Sequence, residues 1–418
     1  MSRIAVVGAG ISGLACAWML AKRHDVVLYE SARHAGGHAH TFDATVDGTT
    51  APVDTGFLVY NDRNYPNLAK LFAALGVESA NAEMSFSVRI GEGALEWSGR
   101  SLAGVFAQPS NLVSPRFLRM LADLLRFNRE AARLVEGGDA MTGTLGEFLD
   151  ARGFGREVRE LYLFPMAACI WFTPATRINR FPLAAFLRFC ANHDLFSVSK
   201  RSPWRTVKGG SREYVNRLVA SLPDVRLASR VAQVRRLEDR VDIVTERGTE
   251  RFDQVVLATH TDQALALLEQ PSSGERAVLG AIPYQANRAV LHTDELLLPR
   301  RRRAWASWNF HAPTREISEE PVSLTYLVNR IQPLAFASPV MVSINPVQAP
   351  RDATILGSFE FSHPVFLEGS DGAKASLASL QGRSRTWYCG ACTRYGFHED
   401  GLVSAMDVAR LLGVPEHW

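Results

Sequence analysis

The chain has 418 residues, of which 47% are hydrophobic, 21% charged and 9% aromatic; these are values of a folded globular protein and exclude disordered, collagenous and coiled-coil classes. At roughly 150 residues per domain there is room for two or three domains and a sizeable core. With 46 Lys and Arg against 43 Asp and Glu, the net charge is +3, too small for a whole-molecule field that would hold nucleic acid.

Residues 3–7 are a short apolar run that ends at Gly8, residues 14–23 have helical spacing, and 25–30 (DVVLYE) are β-branched and close on an acid. Strand, turn, helix and strand in that order predict a βαβ opening. Gly-punctuated extended chain is expected at 51–60, a helix at 65–75 stopped by Gly76, and a strand at 85–90. From 115 to 136 the spacing predicts an amphipathic helix, with Phe117, Leu121, Leu124 and Leu125 on one side and five arginines (116, 119, 126, 129, 133) over the rest. Further helices are expected at 144–151, 156–170 and 182–193. Character then returns to βα: extended chain at 204–210, a helix at 212–221, strands near 225–235 and 240–246, and the run 254–259. The Pro-rich stretch 270–385 contains strand-like pieces at 287–293, 322–328 and 339–345, and a helix at 402–412 closes the chain. The longest uncharged stretches, 161–176 and 331–350, are broken by prolines, short of the ~20 clean apolar residues that a spanning helix needs. Five cysteines, an odd number, argue against a disulfide framework and for a reducing compartment. The expected location is cytoplasmic, with peripheral contact to the inner face of the cell membrane as its extension.

Gly8-Ala9-Gly10-Ile11-Ser12-Gly13 is G-x-G-x-x-G placed between a strand and a helix. The first glycine permits the tight turn, the second lets backbone approach a pyrophosphate, and the third lets helix pack on strand. Glu30, at the end of the second strand, is placed to accept a ribose hydroxyl.

Six residues after Glu30 come Gly36-Gly37, then His38 and Thr41, and this run resembles the FAD fingerprint of the flavin amine oxidase superfamily, although His34 stands where that superfamily usually has Arg. The segment Val53-Asp54-Thr55-Gly56-Phe57 is similar to its second flavin-approaching stretch. Val255-Val256-Leu257-Ala258-Thr259 is similar to its A-T-G strand, with His260 in place of the glycine, and 395–404 (YGFHEDGLVS) resembles its closing segment. More narrowly, Trp204–Val215, Asp54–Leu68 and 396–402 resemble bacterial flavoproteins associated with cyclopropane and methyl-branched fatty-acid synthesis, one type of which desaturates a methylated acyl chain in furan fatty acid formation.

The resemblance implies an α/β fold: a Rossmann-type FAD-binding domain from 1–75, 200–270 and 386–418, with an inserted α+β substrate domain from 76–199 and 271–385. It implies FAD, held non-covalently, along Gly8, Gly10, Ile11, Ser12, Gly13, Glu30, Ser31, Gly36, Gly37, His38, Thr55, Gly56, Phe57, Val231, Ala258, Gly390, Asp400, Gly401, Leu402 and Ser404. No second Gly-rich phosphate loop follows residue 40, so electrons are expected from an organic substrate and leave to oxygen or a membrane acceptor. The expected substrate is a lipid acyl chain that gives a hydride to flavin N5 and a proton to a nearby base. Candidates for that base are Glu399 and His398 beside the closing segment, then His311 and Tyr60. Amine or porphyrinogen oxidation, and a non-catalytic flavin-binding partner of a methyltransferase, are the rival readings.

Cys389-Gly390-Ala391-Cys392 reads either as a redox dithiol or as small residues where backbone passes the cofactor, the second being favoured. The run Arg300–Arg303 beside Trp305, with the arginine-rich helix at 116–133, reads as a solvated surface or as a contact for anionic lipid headgroups.

Overall fold

The computed structural model describes residues 1–138, 141–172, 174–196, 202–314, 322–365 and 370–415. The opening βαβ unit forms as its periodicity requires: strand Arg3–Val7, helix Ile11–Leu20, strand Asp25–Tyr29. These strands are the middle of a five-stranded parallel sheet, in the order Thr386–Tyr388, Gln254–Leu257, Arg3–Val7, Asp25–Tyr29, Asp224–Arg226. Three stretches far apart in sequence thus share one layer. The closing helix His398–Leu411 packs on helix Ile11–Leu20, and Leu14, Ala17, Leu402, Ala405 and Val408 fill the space between them. Its start lies four residues ahead of the sequence expectation.

An antiparallel three-stranded sheet (Val231–Arg236, Val241–Thr245, Gly248–Phe252) covers the other face of the parallel sheet. Leu279, Leu377 and Leu380 join this same core. The two ends of the span 271–385 therefore pack with the dinucleotide half, because their apolar side chains find their partners there. The boundary drawn between 199 and 200 lies outside the described residues.

The second half is built on a seven-stranded mixed sheet. Its order is Ile355–Pro364, Tyr284–His292, Met341–Ile344, Ser323–Leu327, Trp308–Ala312, Phe86–Ile90, Leu95–Ser98. The strand Ile355–Pro364, the longest of the seven, falls in the stretch read as irregular. Helices Pro115–Gly137, Leu145–Ala151, Phe164–Trp171 and Leu183–Asn192 bury their apolar sides against this sheet in one large core. The single helix expected at 156–170 is interrupted by a π turn at Arg159–Leu163. Pro165 has no N–H to give to the preceding turn, and the wider turn accommodates that missing donor.

Candidate active site

The chain turns out of strand Arg3–Val7 at Gly8, with φ +102°, where a Cβ would lie 2.8 Å from the Ala258 carbonyl oxygen. A Cβ on Gly13 would overlap the Gly8 carbonyl oxygen, so helix and strand approach each other only over glycine. Gly10 differs from both: nothing lies within 4 Å of a Cβ built there, and helix Ile11–Leu20 starts at Gly10 without a side-chain cap. The amides of that first turn are free for an anion at the positive end of the helix dipole. The closing helix brings a second N-terminus to the same place, since a Cβ on Gly401 would lie 2.8 Å from Ser12 Oγ.

Glu30 Oε2 accepts from the Ala9 amide at 2.8 Å, and Oε1 accepts from the Ala32 amide at 2.9 Å and from Ser31 Oγ at 3.1 Å. The carboxylate is locked at the end of its strand with lone pairs to spare for ribose hydroxyls. The Gly36 amide donates to the Ala9 carbonyl at 2.8 Å, and Gly37 (φ +57°) approaches Gly10 so closely that a Cβ would lie 3.2 Å from its Cα. Residues 38–40 then run beside 55–57: Phe57 N donates to the His38 carbonyl at 2.7 Å and Thr55 N to the His40 carbonyl at 2.9 Å. Open space at Gly10, a second helix end packed close beside it, a fixed acid and glycine-only approaches form a cradle that fits the pyrophosphate and ribose of a dinucleotide.

The remaining expected cofactor residues divide by what their side chains do. Leu402 and Val231 are buried in separate cores, leaving only backbone to face a ligand. Ser404 Oγ is committed to the closing loop, accepting from Gly390 N at 2.9 Å and donating to the Gly401 carbonyl at 2.7 Å. Asp400 accepts from the amides of Tyr395 and Phe397 at 3.2 and 2.9 Å, and burial pushes its carboxyl up to about 6. Asp54 is a buried hub whose linking role the sequence did not reveal. It accepts from Thr41 Oγ1 (2.6 Å), Ser211 Oγ (2.8 Å) and Gln332 Nε2 (3.1 Å), tying three distant segments, and burial pushes its carboxyl up to about 6.

One residue past the glycine pair begins an aromatic interlock between the two halves. His38, His40 and Phe42 alternate along one segment and face Phe359, Phe361 and His363, which alternate along strand Ile355–Pro364. Ring centroids are 5.0 Å apart for His38–His363, 5.3 Å for His38–Phe361, 4.6 Å for His40–Phe359 and 5.5 Å for Phe42–Phe359. Phe172, held at φ +50° after helix Phe164–Trp171, stacks on His363 at 4.2 Å, and His260 stacks on Tyr284 at 4.3 Å. Asn287 Nδ2 meets His363 Nδ1 at 2.9 Å, which leaves the ring proton on Nε2. Burial first, then the charge of His260, pushes His38 down to about 4. Burial also drives His363 and His260 below the ordinary imidazole value. The sequence reading singled out His38 and noted His260 but missed His363; the alternation F-x-F-x-H at 359–363 was the available signal.

The four candidates for the base are not brought together. Glu399 turns away from the interlock and holds the first turn of helix Pro66–Leu75, accepting from Asn67 N (3.0 Å), Asn67 Nδ2 (2.6 Å) and Leu68 N (2.9 Å). Both oxygens are engaged with another helix, a capping role. His311 lies on the strand face opposite Phe310, near Arg89, and burial pushes it down to about 4. The Tyr60 ring packs edge-on against Phe72 at 5.1 Å, and its backbone pairs with Arg205. Only His398 of the four faces a residue expected to approach the flavin, stacked on Phe57 at 3.8 Å with Nε2 hydrogen-bonded to the Tyr214 hydroxyl at 3.1 Å; burial pushes it down to about 3. Glu399→Gln should leave flavin reduction unchanged while lowering Tm by about 2 °C through the weakened cap, readable in one thermal scan with activity.

The two thiols of the C-x-x-C face different partners. Cys389 meets Cys16 in the core under the opening helix, and Cys392 meets the Tyr284 hydroxyl. All five cysteines are free and buried. The four-arginine run is largely spent on nearby acids: Arg301 pairs with the buried Glu96, Arg302 with Glu295, and Arg300 with Glu92.

The fold and the cradle define a dinucleotide-binding flavoprotein with a substrate half laid over it. Residues 11–302 match the family described as flavin containing amine oxidoreductase, and the chain belongs to that family; FAD is its cofactor. A carotenoid phi-ring synthase from Streptomyces griseus is 29% identical over 280 residues, a match that spans 61% of this chain and 52% of that protein. Among solved structures, the fold is similar to a CLA-producing fatty acid isomerase from P. acnes (TM-score 0.69, 16% identity, 99% of each chain). It is similar as well to cyclohexylamine oxidase from Brevibacterium oxydans IH-35A (TM-score 0.68, 13% identity, 98% of this chain and 99% of that one). The chain thus carries the flavoprotein oxidoreductase fold of this family and spans about half the length of the curated relative it matches. Among the described residues no helix is long and apolar enough to cross a membrane.

Proposed function

We propose that this oxidoreductase dehydrogenates a lipid acyl chain, with a methyl-branched unsaturated fatty acyl group of a phospholipid as substrate. The observation that carries the reading is the wall of phenylalanines and uncharged histidines that starts one residue past the glycine pair. Surroundings that push His38 down to about 4 and His398 to about 3 also disfavour a cationic substrate and suit a hydrocarbon. Two of the similar proteins are named for a fatty acid and a carotenoid, which supports an apolar substrate.

FAD, when bound, supplies the acceptor for the hydride that leaves an allylic carbon. Phe172 and Phe361, which pack against His363 and His38 in this wall, would favour through their ring faces the positive charge left on the chain. His38 turns one ring nitrogen to the Ser362 carbonyl and keeps the other to take the proton. A proton beside a carbocation is far more acidic than an imidazolium, so a base near 4 is strong enough. Turnover would need oxygen or a membrane acceptor to take up the two electrons.

The test is the anaerobic flavin spectrum of the purified holoenzyme before and after addition of phospholipid with methyl-branched unsaturated chains. Bleaching is expected, slowed about a hundredfold in His38→Asn. A spectrum that stays oxidised with lipid but bleaches with a soluble amine or a tetrapyrrole would replace this reading by a rival oxidase. A spectrum that no substrate bleaches, in a protein that holds a methyltransferase in a stable complex, would make it a flavin-binding partner.

A further inference from the structure

Helix Pro115–Gly137 buries Phe117, Met120, Phe127 and Ala131 against the substrate half, yet its outer side is not uniformly polar. Leu118 is 44% exposed and Leu125 54%; just before the helix Leu112 is 55% and Val113 79% exposed, and Leu102 is 79% exposed on the short helix Leu102–Val105. Scattered exposed apolar residues are ordinary, but half of the large exposed ones among the described residues fall within this one segment. The segment is one corner of the molecule. Phe106 meets Phe117 edge-on at 6.3 Å, and Asn111 anchors the backbone from inside by donating to the Glu96 carbonyl at 3.2 Å. Its inner side is fixed while the outer leucines and the valine face water.

The same corner is cationic. Arg116 pairs with Glu157 and Arg126 with Asp123 and Glu130, whereas Arg119, Arg129 and Arg133 form no ion pair among the described residues. We propose that this corner seats the protein on an anionic lipid bilayer. Leu102, Leu112, Val113, Leu118 and Leu125 enter the acyl boundary while Arg119, Arg129 and Arg133 meet headgroup phosphates. Charge complementarity selects this occupant: a second copy of the chain on a two-fold axis would set these arginines against their own images. The seat moves the basic surface away from the four-arginine run, which neighbouring acids already engage. It holds whichever substrate the flavin oxidises, because it concerns only how the protein meets a membrane.

The experiment is flotation of the holoenzyme with vesicles of equimolar phosphatidylglycerol and phosphatidylcholine, and with phosphatidylcholine alone. Wild type should float with the anionic vesicles. The triple variant Leu112→Asp, Val113→Asp, Leu118→Asp should lower the bound fraction by about tenfold or more. The pair Arg119→Glu, Arg129→Glu should remove the preference for the anionic vesicles. Unchanged flavin absorbance and Tm establish that the variants are folded, and the arginine pair decides the matter if the triple variant is not. Wild type left behind by both vesicles overturns the proposal, as does wild-type flotation of the folded variants. A wild-type dimer in light scattering that the triple variant converts to monomer, with no vesicle binding by either, assigns the corner to a second copy.

Discussion

Replacing Gly10 by valine should give a folded protein that no longer retains FAD. The backbone at Gly10 is extended (φ −74°, ψ −177°), a conformation that β-branched residues favour, and a Cβ there meets nothing within 4 Å. The apoprotein therefore has no steric reason to unfold. The open space is where the fit to a pyrophosphate places the ligand, beside the free amides of helix Ile11–Leu20 and the first turn of the closing helix. Two branched methyl groups in that space displace hydrogen bonds to a charged group, each worth roughly 1.5–3 kcal/mol, so affinity should drop about a hundredfold or more. The neighbouring glycine gives the contrast. Gly13→Val drives a side chain into the Gly8 carbonyl and should lose the fold itself. Fluorescence titration with FAD, set beside circular dichroism of each apoprotein, separates the two outcomes. Gly10→Val purified with a full complement of flavin would show that the pyrophosphate does not lie over this turn.

That contrast also explains how much of the molecule was legible in the sequence. A turn forced to φ +102° or a helix in contact with a strand admits almost no residue but glycine, so the backbone writes itself into the amino-acid types. The βαβ opening, the acid that ends it and the helix stopped at Gly76 (φ +68°) were readable on those grounds. The substrate sheet was only half readable. Its strands Tyr284–His292, Ser323–Leu327 and Met341–Ile344 carry alternating or continuous apolar runs, but Ile355–Pro364 is intermediate or exposed along its length and gives a weak burial pattern. The aromatic interlock needs the register between that strand and residues 38–42, a tertiary fact that no local window contains. Glu399 was misread for a related reason. Nearness in sequence to the closing flavin segment says nothing of direction, since successive residues on a helix point about 100° apart. His398 faces Phe57, while the next side chain faces the end of helix Pro66–Leu75.

Acid should destabilise this protein steeply as pH falls from about 6.5 toward 4. Burial pushes His38, His193, His292 and His311 down to about 4 and His398 to about 3. Each binds a proton near pH 6.5 once the chain unfolds. A base whose folded value is depressed contributes stability that is intact above its unfolded value and is lost as pH falls from there toward the folded value. Asp54 and Asp400 act in the opposite sense: raised to about 6, they bind protons in the folded state first and add stability as pH falls below that point. At pH 5 five histidines favour the unfolded chain and two aspartates the folded one. The difference of about three protons makes stability fall by roughly 4 kcal/mol per pH unit. His40, His260 and His363 are displaced in the same direction as the five, so the sign is robust. Since a domain holds only about 5–15 kcal/mol in total, a fall of this slope over two pH units removes half or more of it, so Tm should drop sharply between pH 6 and pH 4. The check is Tm measured from pH 8 to pH 4 for wild type and for His193→Phe, whose ring stacks on Phe189 at 3.9 Å and lies 5.9 Å from Phe397 of the closing segment. The variant should lose about one proton from the slope, with a loss of about 1 kcal/mol at pH 8 from the missing hydrogen bond to the Phe189 carbonyl. A wild-type Tm that is flat from pH 6.5 to pH 5 would mean that these imidazoles gain charge inside the folded protein, which would remove the uncharged wall from beside the flavin.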